Sequence, residues 1–404
     1  MSSKTKTTSA KEEGKTALVP KLRFPEFRGM EGWSDEALSD VATIVMGSSP
    51  KSECYNHCEI GLPLLQGNAD IKNRLSAPRI FTSEVTKECT VGDILLSVRA
   101  PVGSVAKSVH HACIGRGIAA IHSKRPNSQE FLYQWLLSYE PRWVNISQGG
   151  TFDAINSDDL KQVGLAVPSP SEQQKIAECL SSVDELMAAQ ARKVDALKTH
   201  KKGLMQQLFP REGETQPRLR FPEFQKGAEW VQKTVGGVSD VLMCKRIFAE
   251  ETNPSEGIPF YKIGTLGGVP DAFISREKFE DYKSRYNYPR KDEVLITCSG
   301  TVGKCLPFDG KDAYFQDSNI VWLDNPTGEV SNKFLLMLLS NVNWGSLNST
   351  TITRIYGPDL RGLAIKYPED EAEQQRIASC LSSLDALITA ETQKHEALKT
   401  TRKA

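Results

Sequence analysis

Residue types that support catalysis or metal binding occur in this 404-residue chain, but their spacing does not form an active site. Cys54, His57 and Cys58 stand close together, yet no second ligand pair follows at the spacing of a zinc site. The segment GTVGKC at 300–305 resembles a phosphate-binding loop, but it lacks the leading Gly and the Ser or Thr after Lys304. We therefore expect no catalytic residue and no metal site, and we interpret GTVGKC as a turn.

Hydrogen-bonding side chains are better represented, because loop-like stretches in both halves of the chain carry Arg, Lys, Asn, Gln, Ser and Thr. Such side chains can contact base edges in a groove of double-stranded DNA, while basic and hydroxyl groups hold the phosphates. The candidates in the first half are Gln66, Asn68, Lys72, Asn73, Arg74, Arg99, Gln148 and Thr151. The candidates in the second half are Lys245, Arg246, Lys262, Thr265, Thr297, Ser299, Thr301, Lys304, Asn348, Thr350, Thr351 and Arg354. The alternative for each is an ordinary solvated loop residue.

Composition indicates a globular protein, with 39% hydrophobic and 25% charged residues. Lys plus Arg and Asp plus Glu both number 50, so the net charge opposes tight non-specific binding to nucleic acid, and DNA binding must depend on local patches or partner subunits. The run from Arg192 to Lys202 holds five basic residues and one acidic residue, and it either faces DNA phosphates or is a solvated helix face. Without a signal peptide or an apolar span, we expect a cytoplasmic protein that contacts no membrane.

An internal repeat determines the expected architecture. PKLRFPEF at 20–27 returns as PRLRFPEF at 217–224, with seven of eight residues identical. EQQKIAECLSSVD at 172–184 returns as EQQRIASCLSSLD at 373–385, with ten of thirteen identical. Between these anchors only scattered residues match, so the sequence predicts a repeated scaffold with divergent loops.

Each repeat begins with a Pro-containing opening segment and continues through β-branched runs, of which 92–98 and 292–297 predict matching buried strands. Each repeat ends in a long amphipathic helix, for which Ser171 is a plausible N-cap in the first copy. The 37 residues from Glu172 to Leu208 would span about 55 Å, more than one domain of this size needs for cover.

Apolar residues follow a heptad-like seam along both helices, which favours pairing of the helices with each other. The alternative is that each helix covers its own domain. Gln190 and Lys201 interrupt the first seam, and Glu391 and His395 interrupt the second. The residues that we assign to helix pairing are Ile176, Leu180, Val183, Met187, Val194, Leu197, Ile377, Leu381, Leu384, Ile388 and Leu398.

From Pro20 to Ala404 the sequence resembles the specificity (S) subunits of type I restriction-modification enzymes. The likeness is carried by the EQQ(K/R)IA and CLSS(V/L)D helices, by GDILLSVRAPVG and KDEVLITCSGTVG, and by the repeated Trp-containing opening segment. It implies an α+β fold of two similar globular α/β target-recognition domains separated by two long antiparallel coiled-coil helices, with pseudo-two-fold symmetry. The predicted boundaries are a flexible tail at 1–19, recognition domains at 20–170 and 217–369, a spacer helix at 171–210 and a shortened one at 370–404.

The resemblance also implies a function. The two domains would read the halves of a split, asymmetric site in double-stranded DNA, while the helices act as spacer and docking surface for two methyltransferase (M) subunits. Restriction (R) subunits would join through that core. The M subunits would carry S-adenosylmethionine and the R subunits would use ATP and Mg, so we expect no cofactor and no catalysis in this chain.

Two other functions stay open at this stage. The first is a nucleic-acid-modifying enzyme with an unrecognised active site. The second is a non-reading structural or decoy relative that assembles through its helices, because the second helix ends before a counterpart of Gly203 to Pro210. In that case unpaired apolar residues from Leu204 to Phe209 could support self-association.

Overall fold

The computed structural model describes residues 18–146, 154–347 and 354–403 of the chain. It consists of two units, residues 1–186 and 187–404, and the boundary falls inside a single long helix. This helix, Pro170–Leu208, lies where the sequence predicts a spacer helix at 171–210, and the predicted domain boundaries stay a prediction.

The first unit begins with a short 3-10 helix at Pro25–Phe27 and contains two further such turns at Ser52–Cys54 and Asn68–Asp70. Its strands are β1 Ser34–Ala37, β2 Ala42–Met46, β3 Tyr55–Asn56, β4 Leu62–Leu65, β5 Ile71–Lys72, β6 Leu75–Ser76, β7 Ile80–Thr82, β8 Glu88–Cys89, β9 Ile94–Ser97, β10 Val105–Lys107, β11 Ala112–Ile114, β12 Ile118–Ser123 and β13 Gly164–Val167. Its helices are α1 Leu38–Val41, α2 Gln129–Ile146, α3 Ser157–Lys161 and the first half of α4 Pro170–Leu208.

The strands of the first unit form three sheets, in the orders β1-β13, β2-β12-β9-β10-β6-β5 and β3-β7-β4-β11-β8. All four residues of β9, Ile94 to Ser97, are buried, which confirms the strand predicted at 92–98. Helix α2 packs on the central sheet, with Leu132 and Leu136 buried in the same cluster as Ile94 and Leu96.

The second unit contains the other half of α4 and 3-10 turns at Pro222–Phe224, Ala249–Glu251 and Trp344–Leu347. Its strands are β14 Val231–Thr234, β15 Asp240–Leu242, β16 Ile258–Tyr261, β17 Phe273–Ile274, β18 Val294–Thr297, β19 Cys305–Pro307, β20 Tyr314–Phe315, β21 Ile320–Asp324 and β22 Ala364–Tyr367. Its further helices are α5 Val235–Val238, α6 Arg276–Arg285, α7 Asn332–Ser340, α8 Gly357–Gly362 and α9 Glu371–Lys403.

The second unit repeats the central sheet of the first, because β15-β21-β18-β19 has the same order as β2-β12-β9-β10. The small ribbons β1-β13 and β14-β22 also match, and both are antiparallel. The strand predicted at 292–297 is β18, which is buried along its whole length. The predicted fold class, two similar α+β domains with two long helices, is therefore confirmed.

Within the second unit, α4 and α9 run antiparallel. Lys201 Nζ lies 2.6 Å from Asp385 Oδ1, and Gln190 Nε2 donates to Glu391 Oε2 at 2.6 Å and to the Glu391 carbonyl at 2.8 Å. The partner number rises on α9 as the residue number falls on α4, which defines the direction. Val194, between these contacts, is 6% exposed.

The C-terminal end of α4 is part of the core of the second unit. Leu208 and Phe209 are 1% and 4% exposed, and they pack in one cluster with Trp230 and Phe334. The idea that this segment is free for self-association is therefore wrong. The N-terminal end of α4 also differs from the expectation, because Ser169, not Ser171, precedes the first turn and accepts from the Glu172 amide.

Candidate nucleic-acid interface

The two anchor motifs of the repeat bind each other within each unit. The Arg23 guanidinium of RFPEF donates from Nε and Nη2 to both carboxylate oxygens of Glu172, at 2.8 and 2.7 Å. Arg220 makes the same pair with Glu373, at 2.7 and 2.6 Å, and Glu373 is 0% exposed. Hydrogen bonding to the carboxylate raises the pKa of Arg220. The pair ties the opening segment of each unit to the first turn of its long helix.

The next glutamine of each EQQ motif extends this connection. Gln173 donates to the Pro168 carbonyl at 2.9 Å and accepts from the Ser128 amide at 2.8 Å, just before α2. Gln374 repeats both bonds with Pro368 and Ser331, at 2.9 and 2.8 Å. The repeated motifs therefore fix the long helices onto the domains, and they leave the divergent loops free to vary.

Several loops of the first unit converge at one end of the central sheet, around the turn that joins β11 to β12. The Gly115 amide donates to the Leu65 carbonyl at 2.8 Å, and the Val98 amide donates to the Gly117 carbonyl at 2.9 Å. The Ile155 amide donates to the Val98 carbonyl at 2.9 Å. Loops that are far apart in sequence thus form one surface.

The second unit assembles the same surface from the equivalent loops. The Gln316 amide donates to the Tyr261 carbonyl at 2.9 Å, and the Cys298 amide donates to the Asn319 carbonyl at 2.7 Å. The Ile355 amide donates to the Cys298 carbonyl at 2.8 Å. Because the backbone contacts match while the side chains differ, each unit presents a different set of polar groups on the same frame.

The turn after the central strand is held by a buried hydroxyl in each unit. Ser97 donates to the Pro101 carbonyl at 2.8 Å and accepts from the Ser104 amide at 2.9 Å. Thr297 donates to the Thr301 carbonyl and accepts from the Lys304 amide at 3.0 Å. Thr297 is 0% exposed, so its inclusion among the DNA-contacting residues is wrong, and it positions the turn instead. GTVGKC is a turn, as predicted.

Close packing at Gly103 and Gly303 adds to the rigidity of these turns. Both glycines have positive φ, +94° and +78°, which side-chain-bearing residues rarely adopt. A Cβ atom at Gly103 would lie 2.7 Å from the Trp143 side chain, and one at Gly303 would lie 2.1 Å from Trp344. The turns therefore sit directly on an indole ring in both units.

The structure divides the predicted residues of the first unit into two groups. Gln66 and Arg99 lie in the converging loops, with Arg99 exposed and bridged through its backbone to Ala154. Asn68 begins the 3-10 turn at Asn68–Asp70, Lys72 ends β5, and Asn73 and Arg74 form the turn between β5 and β6, both with positive φ. The Arg74 guanidinium is occupied, because it forms an ion pair with Glu140 that raises its pKa. This pairing makes Arg74 a weaker candidate than Arg99.

Most predicted residues of the second unit lie in the converging loops, and several already have partners. Arg246 pairs with Asp317 at 2.8 Å, Lys262 with Asp271 at 3.0 Å, and Lys304 Nζ donates to the Leu266 carbonyl at 2.5 Å. The Thr265 hydroxyl accepts from the Lys262 amide and so holds its own turn. Other candidates on this surface are Lys245, Ser299, Thr301 and Arg354.

Ser299 and Arg354 are joined by a backbone bridge, and the Arg354 guanidinium lies 5.6 Å from the ring of the exposed Tyr356. Five predicted residues lie outside the described residues: Gln148, Thr151, Asn348, Thr350 and Thr351. Sequence reasoning missed Arg116 and Tyr356, both exposed on the same surfaces. The signal for Arg116 was its position between two glycines after a buried strand.

The residues that the structure describes, 18–146, 154–347 and 354–403, contain neither a metal-binding cluster nor a membrane-spanning helix. In those ranges no group of three or more His, Cys, Asp or Glu side chains is arranged to hold a metal ion. Cys54 contacts Glu84 at 3.6 Å, and His57 and Cys58 are exposed. Among the same residues, no helix combines the length and apolar character that crossing a membrane requires.

Comparisons with known proteins identify the family. A family model described as the type I restriction modification DNA specificity domain matches twice, at residues 30–199 and 227–400. A putative type I restriction enzyme specificity subunit of Haemophilus influenzae is 34% identical over 276 residues, 68% of this chain and 69% of that protein. One from Methanocaldococcus jannaschii is 36% identical over 167 residues, 41% of this chain and 39% of the relative.

Solved structures show the same fold at low sequence identity. The S subunit of the type I restriction-modification system from M. genitalium superposes with a TM-score of 0.63 at 16% identity, covering 95% of this chain and 97% of that one. A chain from a structural study of complex assembly and conformational transition of the type I R-M system gives 0.58 at 18% identity, with the same coverage. The chain therefore belongs to the family of type I restriction-modification DNA specificity subunits.

Proposed function

We propose that this specificity subunit recognises a bipartite, asymmetric site in double-stranded DNA, with each unit reading one half. The observation that carries the proposal is the repeated loop surface, on which the same backbone frame presents Arg99 and Arg116 in one unit and Arg246 and Arg354 in the other. Different side chains on an identical frame are what two different half-sites require, because the grooves distinguish bases by their hydrogen-bonding groups.

We propose further that the chain docks two methyltransferase subunits through its long helices and that restriction subunits join this core. The support is the family membership together with the exposed side of α4, where Arg192, Lys198 and Lys202 are open to solvent. In this proposal the M subunits carry S-adenosylmethionine and the R subunits use ATP and Mg. The chain itself contributes recognition and no catalytic group.

The balanced net charge fits a reader that works inside such a complex. With 50 basic and 50 acidic residues, the chain has no excess positive charge to attract phosphates at long range. Affinity would come from the complex as a whole, and this chain would supply the base contacts.

The test is selection of duplexes from a pool with about 30 random base pairs, using the chain purified with its cognate M subunit. We expect enrichment of two short sequence elements at one fixed separation, and native mass spectrometry should show two M subunits per chain. A stable complex that enriches no sequence would indicate a decoy subunit instead. Enrichment of one continuous element would rule out two separate readers.

A further inference from the structure

Each unit carries one exposed arginine at the same place on its loop surface. The arginine belongs to a different loop in each unit. In the first unit this residue is Arg116, in the turn between β11 and β12, beside Ser49 in the loop after β2. In the second unit it is Arg246, in the loop after β15, beside Asp317 in the turn between β20 and β21. The loop after β2 corresponds to the loop after β15, so arginine and partner exchange loops between the units.

The turn that carries Arg116 is tightly fixed on both sides. A Cβ atom at Gly117 would lie 2.2 Å from the Gln66 carbonyl oxygen, and one at Gly115 would lie 3.2 Å from the Gln66 Cα atom. The Arg116 amide donates to Ser49 Oγ at 3.2 Å, and Arg116 Nε lies 3.4 Å from the same oxygen. A side chain at position 117 would collide with the Gln66 backbone, so the exposed Arg116 side chain projects from a closely packed turn.

Arg246 is oriented by a charged partner. Arg246 Nε donates to Asp317 Oδ2 at 2.8 Å, and the Asp317 side chain is 13% exposed whereas that of Arg246 is 58% exposed. The aspartate therefore orients the guanidinium through Nε, while the Arg246 side chain stays largely exposed. The carbonyl of Ser318, next to Asp317, accepts from Arg354 at 3.2 Å, which fixes this turn as well.

We infer that Arg116 and Arg246 are equivalent specificity-determining residues, each making a base contact in the half-site read by its own unit. A guanidinium offers two parallel donors to the O6 and N7 acceptors of a guanine, and this contact requires a well-placed arginine. Because arginine occupies this place in both units although the neighbouring side chains have diverged, the position is used for reading and is not incidental. The inference rests on the proposed function.

The test compares wild type with Arg116→Ala, Arg116→Lys and Arg246→Ala in the duplex-selection experiment on the complex with M. Arg116→Ala should lower the preference for one base in one half-site by roughly 5- to 150-fold, the discrimination that a bidentate contact provides, and leave the other half unchanged. Arg246→Ala should do the same in the opposite half. Arg116→Lys keeps the charge but loses the two-donor geometry, so it should also relax that base.

Matched controls lie at the other end of the same sheet. Arg125 follows β12 as Arg116 precedes it, and Lys311 lies beyond β19 in the second unit; both are exposed. Arg125→Ala and Lys311→Ala should leave the motif unchanged. The double variant Ser49→Arg with Arg116→Asp copies the arrangement of the second unit and should recover the preference that Arg116→Asp alone loses.

The outcomes separate this inference from the function on which it rests. If wild type enriches no motif, the proposed function fails. If wild type enriches a bipartite motif and both alanine variants enrich the same motif with unchanged base preferences, the inference fails. A uniform loss of binding without a change at any base also overturns it, because that result identifies contacts to phosphates only.

Discussion

At the scale of single residues, the Glu373 carboxylate is a charged group buried in the second unit. It is 0% exposed, accepts both bonds from Arg220 and lies 3.3 Å from Trp230 Nε1. Removing one partner of a buried ion pair leaves the other charge without compensation, at a cost of about 3–5 kcal/mol. We therefore expect Glu373→Ala to reduce the free energy of unfolding by about that amount, measured by urea denaturation.

A control for this variant lies two residues earlier on the same helix. Glu371 is exposed, so Glu371→Ala should change stability by less than about 0.5 kcal/mol. Equal losses for the two variants would show that the pair with Arg220 does not fix the long helix to its domain.

The carboxyl group of Glu293 makes the stability of the fold depend on pH. Burial, together with the nearby Asp324 carboxylate, raises its pKa to about 7, above the ordinary value of 4.5. The folded state therefore retains a proton that the unfolded state releases, and stability falls as pH rises from 4.5 to 7. Glu293→Gln should flatten this part of the stability profile in denaturant titrations at several pH values. An unchanged slope would exclude Glu293 as its source.

The residue scale is also where sequence reasoning was least complete. It grouped Thr297 and Arg74 with the DNA contacts because their types fit. The structure buries Thr297 under a turn and occupies Arg74 with Glu140. It also passed over Arg116, because the flanking glycines, although visible in the sequence, gain their meaning from packing against the loop at Gln66. Such assignments depend on tertiary contacts that one sequence does not display.

At the scale of elements, the polar interruptions of the helical seams form a contact with each other. Gln190 and Glu391 occupy equivalent positions in the two repeats and are hydrogen-bonded, and Lys193 lies 3.0 Å from Glu391. Bonds from Gln190, Lys193 and Lys394 lower the pKa of Glu391 to about 2. Its contribution is therefore present above about pH 4.5 and is lost as pH falls toward 2.

This contact predicts the effect of Gln190→Glu. The variant places two carboxylates against each other and removes the donor to the Glu391 carbonyl, so the melting temperature should fall at pH 7.5. The deficit relative to wild type should shrink in acid, where one carboxyl becomes protonated. Gln393→Glu, on the exposed side of α9, is the matched control and should have little effect. A neutral Gln190→Glu would contradict pairing at this position.

The sequence predicted these elements well because their signals are periodic and local. The buried strands at 94–97 and 294–297 and both long helices follow from residue type and spacing alone. The packing of residues 204–209 could not be predicted, because an apolar helix end can pack against a partner helix or into a domain core. Aromatic packing of Phe209 on Trp230 and Phe334 decides for the core.

At the scale of the whole molecule, the repeat separates two tasks. The repeated anchor motifs maintain the frame in both units, through Arg23 with Glu172 and Arg220 with Glu373. The loops between the anchors are free to differ, so two domains of one fold can carry different recognition surfaces. Under the proposed function, a single chain would thereby read an asymmetric DNA site with two domains of the same fold.

The most direct measurement of this claim is single-molecule sequencing of host DNA for N6-methyladenine after co-expression of the chain with its cognate M subunit. The account predicts one methylated motif with two specified elements separated by a constant number of unspecified base pairs. A contiguous motif, or a stable complex that leaves host DNA without a methylated motif, would contradict it.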